Sequence, residues 1–349
     1  DGGARLFVDG ELSETSDEGE YPAIYRRFAE LVDRGESHVD TVPLRLVAGT
    51  LAIAGDAVVE IAPSVGGAIA SFTLAGADIL RPTPHDARAE GNVRAFACYP
   101  LVPCSNRIAN ARLAFDGHEH ALARNFGDSP HSIHGVGWQR AWSVVSSSDS
   151  GVQLALDHDA LGDTAASWPW PFRVLQTFAL ERSARGATLS ARLAIENTGR
   201  NAFPFGLGWH PFFPKPPGTT LAFAATHVWK SDPTQIPVAR VAVPDAWRFD
   251  PPRPLGDVEL DHVFEPSTGT ATIRWPARAL AVAIDADRAL DRRVVFVPPG
   301  RDYLAFEPVT HMTDAFNRAA RGERGTGTRV LPPGASFSCT MRLQASADA

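Results

Sequence analysis

The chain has 349 residues, 44% of them hydrophobic and 21% charged, enough for one large core or two ordinary ones. A formal net charge of -7 with no basic stripe excludes a nucleic-acid binder, which needs clustered lysine and arginine to neutralise phosphates. No apolar run approaches the roughly 20 residues that span a bilayer as a helix.

Residues 1–48 are charged and carry the clearest helix signal. In YPAIYRRFAELVDRGES, Ile24, Phe28, Leu31 and Val32 fall at i, i+4, i+7 and i+8, one apolar face. Pro22 suits a first helical turn, and Gly35 stands where a C-terminal cap belongs. From residue 49 the pattern changes to short alternating runs. GTLAIAGDAVVEIAP, RLAFDGHEHALA, GVQLALDHDAL, ATLSARLAIENTG, TATIRWPARALAVAIDAD and SFSCTMRLQA each read as one or two strands. AGDA and FDGH predict tight hairpin turns, because glycine and aspartate tolerate positive φ. No long amphipathic helix separates these runs, so residues 49–349 predict one large antiparallel β-sandwich, an all-β fold with a short N-terminal helical extension.

Three cysteines, Cys98, Cys104 and Cys339, form no disulfide framework and fit buried thiols in a reducing cytoplasm. No G-x-G-x-x-G, P-loop or G-x-S-x-G motif occurs, so dinucleotide, nucleotide-phosphate and serine-hydrolase sites have no support.

Five stretches concentrate unusual polar chemistry. CSNRIANARLAFDG holds Asn106 and Arg107, HSIHGVGW holds His131 and His134, and PFGLGWHPFF sets His210 behind Trp209. ELDHVF holds Asp261 and His262, and YLAFEPVTHMTDAFN places Glu307 at the end of an apolar strand, which Glu307-Pro308 terminates. A carboxylate there is desolvated, which raises its pKa and makes it a competent general base near neutral pH. The plainer alternatives are a strand-end glutamate in a surface ion pair and a core histidine bonded to a carbonyl. A metal site built from His131, His134 and His210 is disfavoured, since the flanking glycines argue loop and no acidic ligand stands close in sequence.

Taken together, SNRIANARLAFDG, HSIHGVGW, GLGWHPFF, ELDHVF and FEPVTHMTDAFN resemble the aldose 1-epimerases, the galactose mutarotase family, from about residue 50 to the end. The resemblance implies a large antiparallel sandwich and interconversion of sugar anomers without metal or organic cofactor. It puts the general base at Glu307 and the general acid at His210, with Arg107, His134 and Asp261 contacting a monosaccharide; Asn106 and Trp209, beside matched positions, are further candidate substrate contacts. On that mechanism the base takes the C1 hydroxyl proton, the acid protonates the ring oxygen, and His210 is protonated when Glu307 is ionised. The chain departs from the family in having Phe212 and Phe213 where tyrosine is common, and Trp209 where asparagine or leucine is. A hexose-6-phosphate mutarotase, with Arg94 and Arg112 at the rim, and a non-catalytic sugar-binding sandwich are the competing readings. Residues 1–48 resemble the C-terminal end of Gfo/Idh/MocA-type sugar 1-dehydrogenases without the nucleotide-binding half, as a truncated fusion or a remnant of a neighbouring reading frame would. No nucleic-acid or membrane partner is expected, and monomer and homodimer stay open.

Overall fold

The computed structural model describes residues 4–8, 11–16, 50–183 and 185–347. The chain divides into two compact units, Asp1–Gly49 and Thr50–Ala349. In the first, Ala4–Val8 and Glu11–Ser16 pair as an antiparallel hairpin. The helix predicted from Ile24 to Val32 lies outside the described residues.

The second unit is built from the alternating runs. Phe172–Ser183 and Gly186–Asn197 pair along their whole length, and Ser336–Ala347 continues the ladder. Along these strands Phe172, Val174, Phe178 and Leu180, then Leu189, Leu193 and Ile195, then Met341 and Leu343 are buried at every second position. A period of two therefore gives one apolar face, and that face must be covered. These three strands are the middle of a nine-stranded antiparallel sheet running from Ser143–Ser148 at one edge to Phe249–Pro254 at the other. The turns at Gly55 and Gly117 connect hairpins through positive φ, as AGDA and FDGH predict.

An eight-stranded sheet faces the first. Its central strands are Leu260–Glu265, Arg292–Val297 and Tyr303–Val309. Phe264 and Phe306 from this sheet meet Phe223 of the other edge-on, with ring centroids 5.3 and 5.2 Å apart, and so join the two layers. Alternation then sends the intervening residues to the opposite face. Val263, Val294 and Glu307 lie in register on that face, as do Asp261, Phe296 and Ala305.

One local expectation is corrected. Glu307-Pro308 does not end its strand, which runs on to Val309. On the side away from Arg292–Val297 this strand is paired by two short pieces, Phe212–Pro214 against Tyr303–Ala305 and Gly208 against Val309. Pro308 falls in the break between them, where no ladder bond calls for its missing N–H.

Gly206 shows how tightly this region closes. A Cβ there would stand 1.8 Å from Cδ2 of the His311 ring. Gly206→Ala is expected to displace that ring and cost about 1–3 kcal/mol of stability, the usual penalty for overpacking. A thermal melt of the variant checks this, and an unchanged midpoint would contradict the packing described.

Candidate active site

The break in the ladder is where His210 sits. The short strand Gly208–Trp209 pairs with Pro100–Leu101 on its other side, and Phe212–Pro214 resumes alongside Tyr303–Ala305. Two backbone bonds fix the connection: His210 N donates to Tyr99 O at 3.0 Å and Phe212 N to Ala97 O at 2.8 Å. His210 is thereby turned onto the face that carries Glu307. The Nε2 of His210 lies 3.2 Å from Oε1 of Glu307, although the two residues are nearly a hundred positions apart in sequence.

Aromatic rings enclose the pair. The Phe212 ring stacks on the imidazole at 4.4 Å, and the Tyr99 ring lies 4.8 Å from it. His134 approaches edge-on at 5.4 Å, backed by Trp138 at 5.9 Å. The Arg81 guanidinium lies 3.9 Å from the Phe212 centroid and 4.5 Å from that of Tyr303. It donates to the carbonyls of Arg94 and Phe96 at 3.1 and 2.9 Å. Tyr99 and Arg81 belong to no stretch that the sequence marks out, because nothing in ordinary aromatic and arginine usage distinguishes them before folding.

On the other side of Glu307, Asp261 projects from the same face of the sheet. Arg107 Nη2 stands 3.9 Å from Asp261 Oδ2. Asn106 Oδ1 accepts from both the backbone N and the Nη1 of Arg107, at 2.8 and 3.2 Å, which orients the guanidinium. His134 Nδ1 accepts the N–H of Asn106 at 3.0 Å, so its hydrogen resides on Nε2 and is available as a donor.

Burial sets the protonation of the central pair. Glu307 and His210 are 2% and 7% exposed. Desolvation pushes the Glu307 carboxyl well above its ordinary value, Asp261 adds to the rise, and Arg107 opposes it. Desolvation likewise lowers the His210 imidazole to about 3, assisted by the positive charge of Arg81. Burial therefore disfavours the charged form of both groups, the carboxylate and the imidazolium alike. In a dry, aromatic-walled site, separating charge between an imidazolium and a carboxylate is costly. Glu307 Oε2 and His210 Nδ1 are both buried without a hydrogen-bond partner.

Of the residues expected at the site, Glu307, His210, His134, Asn106, Arg107 and Asp261 are gathered around one centre. Trp209, next to His210 in sequence, is 0% exposed, and its indole nitrogen is buried without a hydrogen-bond partner. Trp168 and Trp170 pack together elsewhere, against Phe316 and Phe203. His131 spends both ring nitrogens on the backbone, Nδ1 accepting from Asn110 N and Nε2 donating to Thr234 O, which leaves no lone pair for a metal. His262 lies on the opposite face of its strand from Asp261, 4.8 Å from the Trp247 ring.

Residues 51–344 match the family model for aldose 1-epimerase. The chain is 29% identical over 292 residues to YphB of Escherichia coli K12, a protein of uncharacterised function, covering 80% of this chain and 92% of that one. A candidate aldose 1-epimerase from Escherichia coli K12, known by crystal structure, aligns with a TM-score of 0.76 at 28% identity over 85% of this chain and 98% of its own. The galactose 1-epimerase of Lactobacillus acidophilus NCFM shares the fold, with a TM-score of 0.66 at 15% identity over 84% of this chain and 92% of its own. A stretch of 59 residues, 17% of this chain and 19% of the relative, is 44% identical to galactose 1-dehydrogenase of Pseudomonas fluorescens.

The raised carboxyl of Glu307 has a thermodynamic consequence. The folded chain retains a proton there that the unfolded chain releases above the ordinary value of 4.5, so this residue costs stability increasingly as pH rises beyond it. Glu307→Gln, which cannot ionise, is expected to melt higher than wild type by a margin that grows between about pH 5 and pH 8. Melting curves across that range test it; a margin that stays flat above pH 5 would show the carboxyl to be ionised in the folded chain.

Proposed function

Because this chain belongs to the aldose 1-epimerase family, we propose that it interconverts the α and β anomers of free aldoses with Glu307 and His210 as its proton-transfer pair. The observation that carries this reading is the 3.2 Å contact between the two side chains in a buried, aromatic-lined site. Ring opening requires one proton to leave the C1 hydroxyl and one to reach the ring oxygen, and those two oxygens share the anomeric carbon. A base and an acid side by side suit that geometry. Glu307 takes the hydroxyl proton and His210 delivers one to the ring oxygen. Rotation about the C1–C2 bond then presents the other carbonyl face, and the reverse transfers close the ring.

The bias of both groups toward their neutral forms fits this cycle. A single proton on the pair, moved from Glu307 to His210, gives the base and the acid that ring opening needs without exchange with solvent. Arg107 favours the ionised carboxylate, so its charge assists that shift. His134 Nε2–H, Asn106, Arg107 and Asp261 supply the donors and acceptors that fix a sugar by its hydroxyls. Phe212 and Tyr99 give the pyranose an apolar surface.

Unphosphorylated sugars suit the site better than sugar phosphates. Arg112 faces Glu119 at 3.6 Å on an exposed hairpin, and the Arg94 guanidinium lies 4.6 Å from the Phe126 centroid. Among the aldoses, galactose is the leading substrate. The short stretch shared with galactose 1-dehydrogenase supports a link between this chain and an enzyme that oxidises the same carbon. Such an enzyme consumes one anomer, and a mutarotase replenishes it. Genomic sequence upstream that encodes a dinucleotide-binding domain would support this, and an unrelated neighbour would count against it. The three buried, unpaired cysteines agree with a cytoplasmic setting.

Polarimetry on freshly dissolved α-galactose tests the activity. Glu307→Gln and His210→Ala are each expected to lower kcat by about 10²–10⁴-fold, with the loss in kcat for His210→Ala exceeding any rise in KM. A wild-type rate in Glu307→Gln would remove the assigned base. For the wild-type enzyme, kcat/KM should stay level below the ordinary imidazole value of 6.5 and fall only as pH moves toward about 3, where His210 takes a second proton. An acid limb centred near 6.5 would contradict the neutral resting imidazole.

A further inference from the structure

Arg107 and Asn106 lie in a segment, Ser105 to Ala114, that supports itself poorly. Its only regular pieces before Arg112 are the two-residue strand Arg107–Ile108, paired with Ser132–Ile133, and one 3-10 turn at Ala109–Ala111. Asn106, Asn110 and Ala111 hold φ of 56°, 53° and 53°, a region that residues with a Cβ occupy at a cost. Such a backbone persists only where its surroundings over-determine it.

The surroundings do so through its amides. Ser105 N donates to His311 Nε2 at 3.0 Å, Asn106 N to His134 Nδ1 at 3.0 Å, and Ala109 N to Asp314 Oδ1 at 3.0 Å. Asn110 N donates to His131 Nδ1 at 2.9 Å and Ala114 N to Asn317 Oδ1 at 2.8 Å. Every one of these acceptors is a buried side chain. The fastening also runs in reverse: Asp314 N donates to Arg107 O at 2.9 Å, and Asn317 Nδ2 to Arg112 O at 2.8 Å. Asn317 Nδ2 also reaches Asp314 Oδ1 at 2.6 Å, tying the two acceptors together.

The histidines can play this part only as fixed tautomers. The Nδ1–H of His311 donates to Met312 O at 2.7 Å, which leaves the Nε2 lone pair for Ser105. His131 is locked the opposite way, with Nε2–H on Thr234 O at 3.1 Å and Nδ1 free to accept. Burial lowers the pKa of both rings, that of His311 to about 4, so each remains a neutral acceptor at physiological pH.

We propose that His131, His311, Asp314 and Asn317 are positioning residues that hold Asn106 and Arg107 in their sugar-binding geometry by taking the backbone amides of residues 105–114. They touch neither the sugar nor Glu307 and act through the loop alone. The proposal rests on the reading of Arg107 as a sugar contact. It also explains why the chain invests HSIH and THMTDAFN in side chains that stand outside the proton-transfer pair.

Asp314 offers the sharpest test. In Asp314→Ala the N–H of Ala109 loses its acceptor, and KM for galactose is expected to rise about tenfold while kcat changes little, the equivalent of one buried donor left unmade. Asp314→Asn keeps an acceptor oxygen and should return KM toward wild type, which loss of fold stability alone would not arrange. In an Arg107→Met background, Asp314→Ala should raise KM by clearly less than it does alone, because one of the two residues it positions is gone. If Asp314→Ala does not fold, His131→Ala, which frees the amide of Asn110, carries the same cycle. An unchanged KM in the folded single variant, or effects that add fully in the double variant, overturns the positioning role. Should Arg107→Met itself keep the wild-type KM, the sugar-contact reading fails first and the proposal falls with it.

Discussion

The structure turns on one interruption in a β-ladder. Had residues 208–214 run as an unbroken strand beside Tyr303–Val309, every backbone group would be paired and alternation alone would decide which side chains met. Instead the strand breaks at His210 and Pro211, its ends are tied to Tyr99 and Ala97, and an imidazole is delivered against the carboxyl of Glu307. Pro308 stands opposite the break, where it costs the sheet nothing. The proton-transfer pair is thus a by-product of where the sheet stops being regular.

That contact is set in surroundings that suppress charge. The rings of Phe212 and Tyr99 and the edge of His134 exclude water from the imidazole, and Glu307 is more deeply buried than His210. Both side chains are therefore biased toward their neutral forms, the less costly ones at low dielectric. Chemistry that moves one proton onto a sugar and one off it requires no net change in the protons the pair carries. Asp261 and Arg107 flank Glu307 with opposite charges, so the position of the proton remains sensitive to small shifts of either.

Several parts of this were legible in the chain. The alternating runs from residue 50 onward specify antiparallel strands because a strand buries one face and solvates the other, and the AGDA and FDGH turns mark where hairpins reverse. Glu307 stood out because a carboxylate on an apolar strand has to be desolvated. His210 stood out for the same reason in its aromatic stretch. Trp209, next to a functional residue in sequence, is fully buried, and what its ring meets is decided only on folding. Tyr99 and Arg81 gave no signal at all, since their closeness to His210 comes from strands that meet only after folding.

The amino-acid order determined which residue types could carry acid–base chemistry and which segments had to be strands, because both follow from local polarity and its period. Only the tertiary structure decided the partner and the charge state. The contact between His210 and Glu307 depends on where a ladder breaks, and a shifted pKa depends on how much water is excluded once both sheets are in place. The five amides of residues 105–114 make the same point. Nothing local explains a loop whose conformation is paid for by histidines, an aspartate and an asparagine from distant turns, since each bond exists only when the whole chain has closed around it.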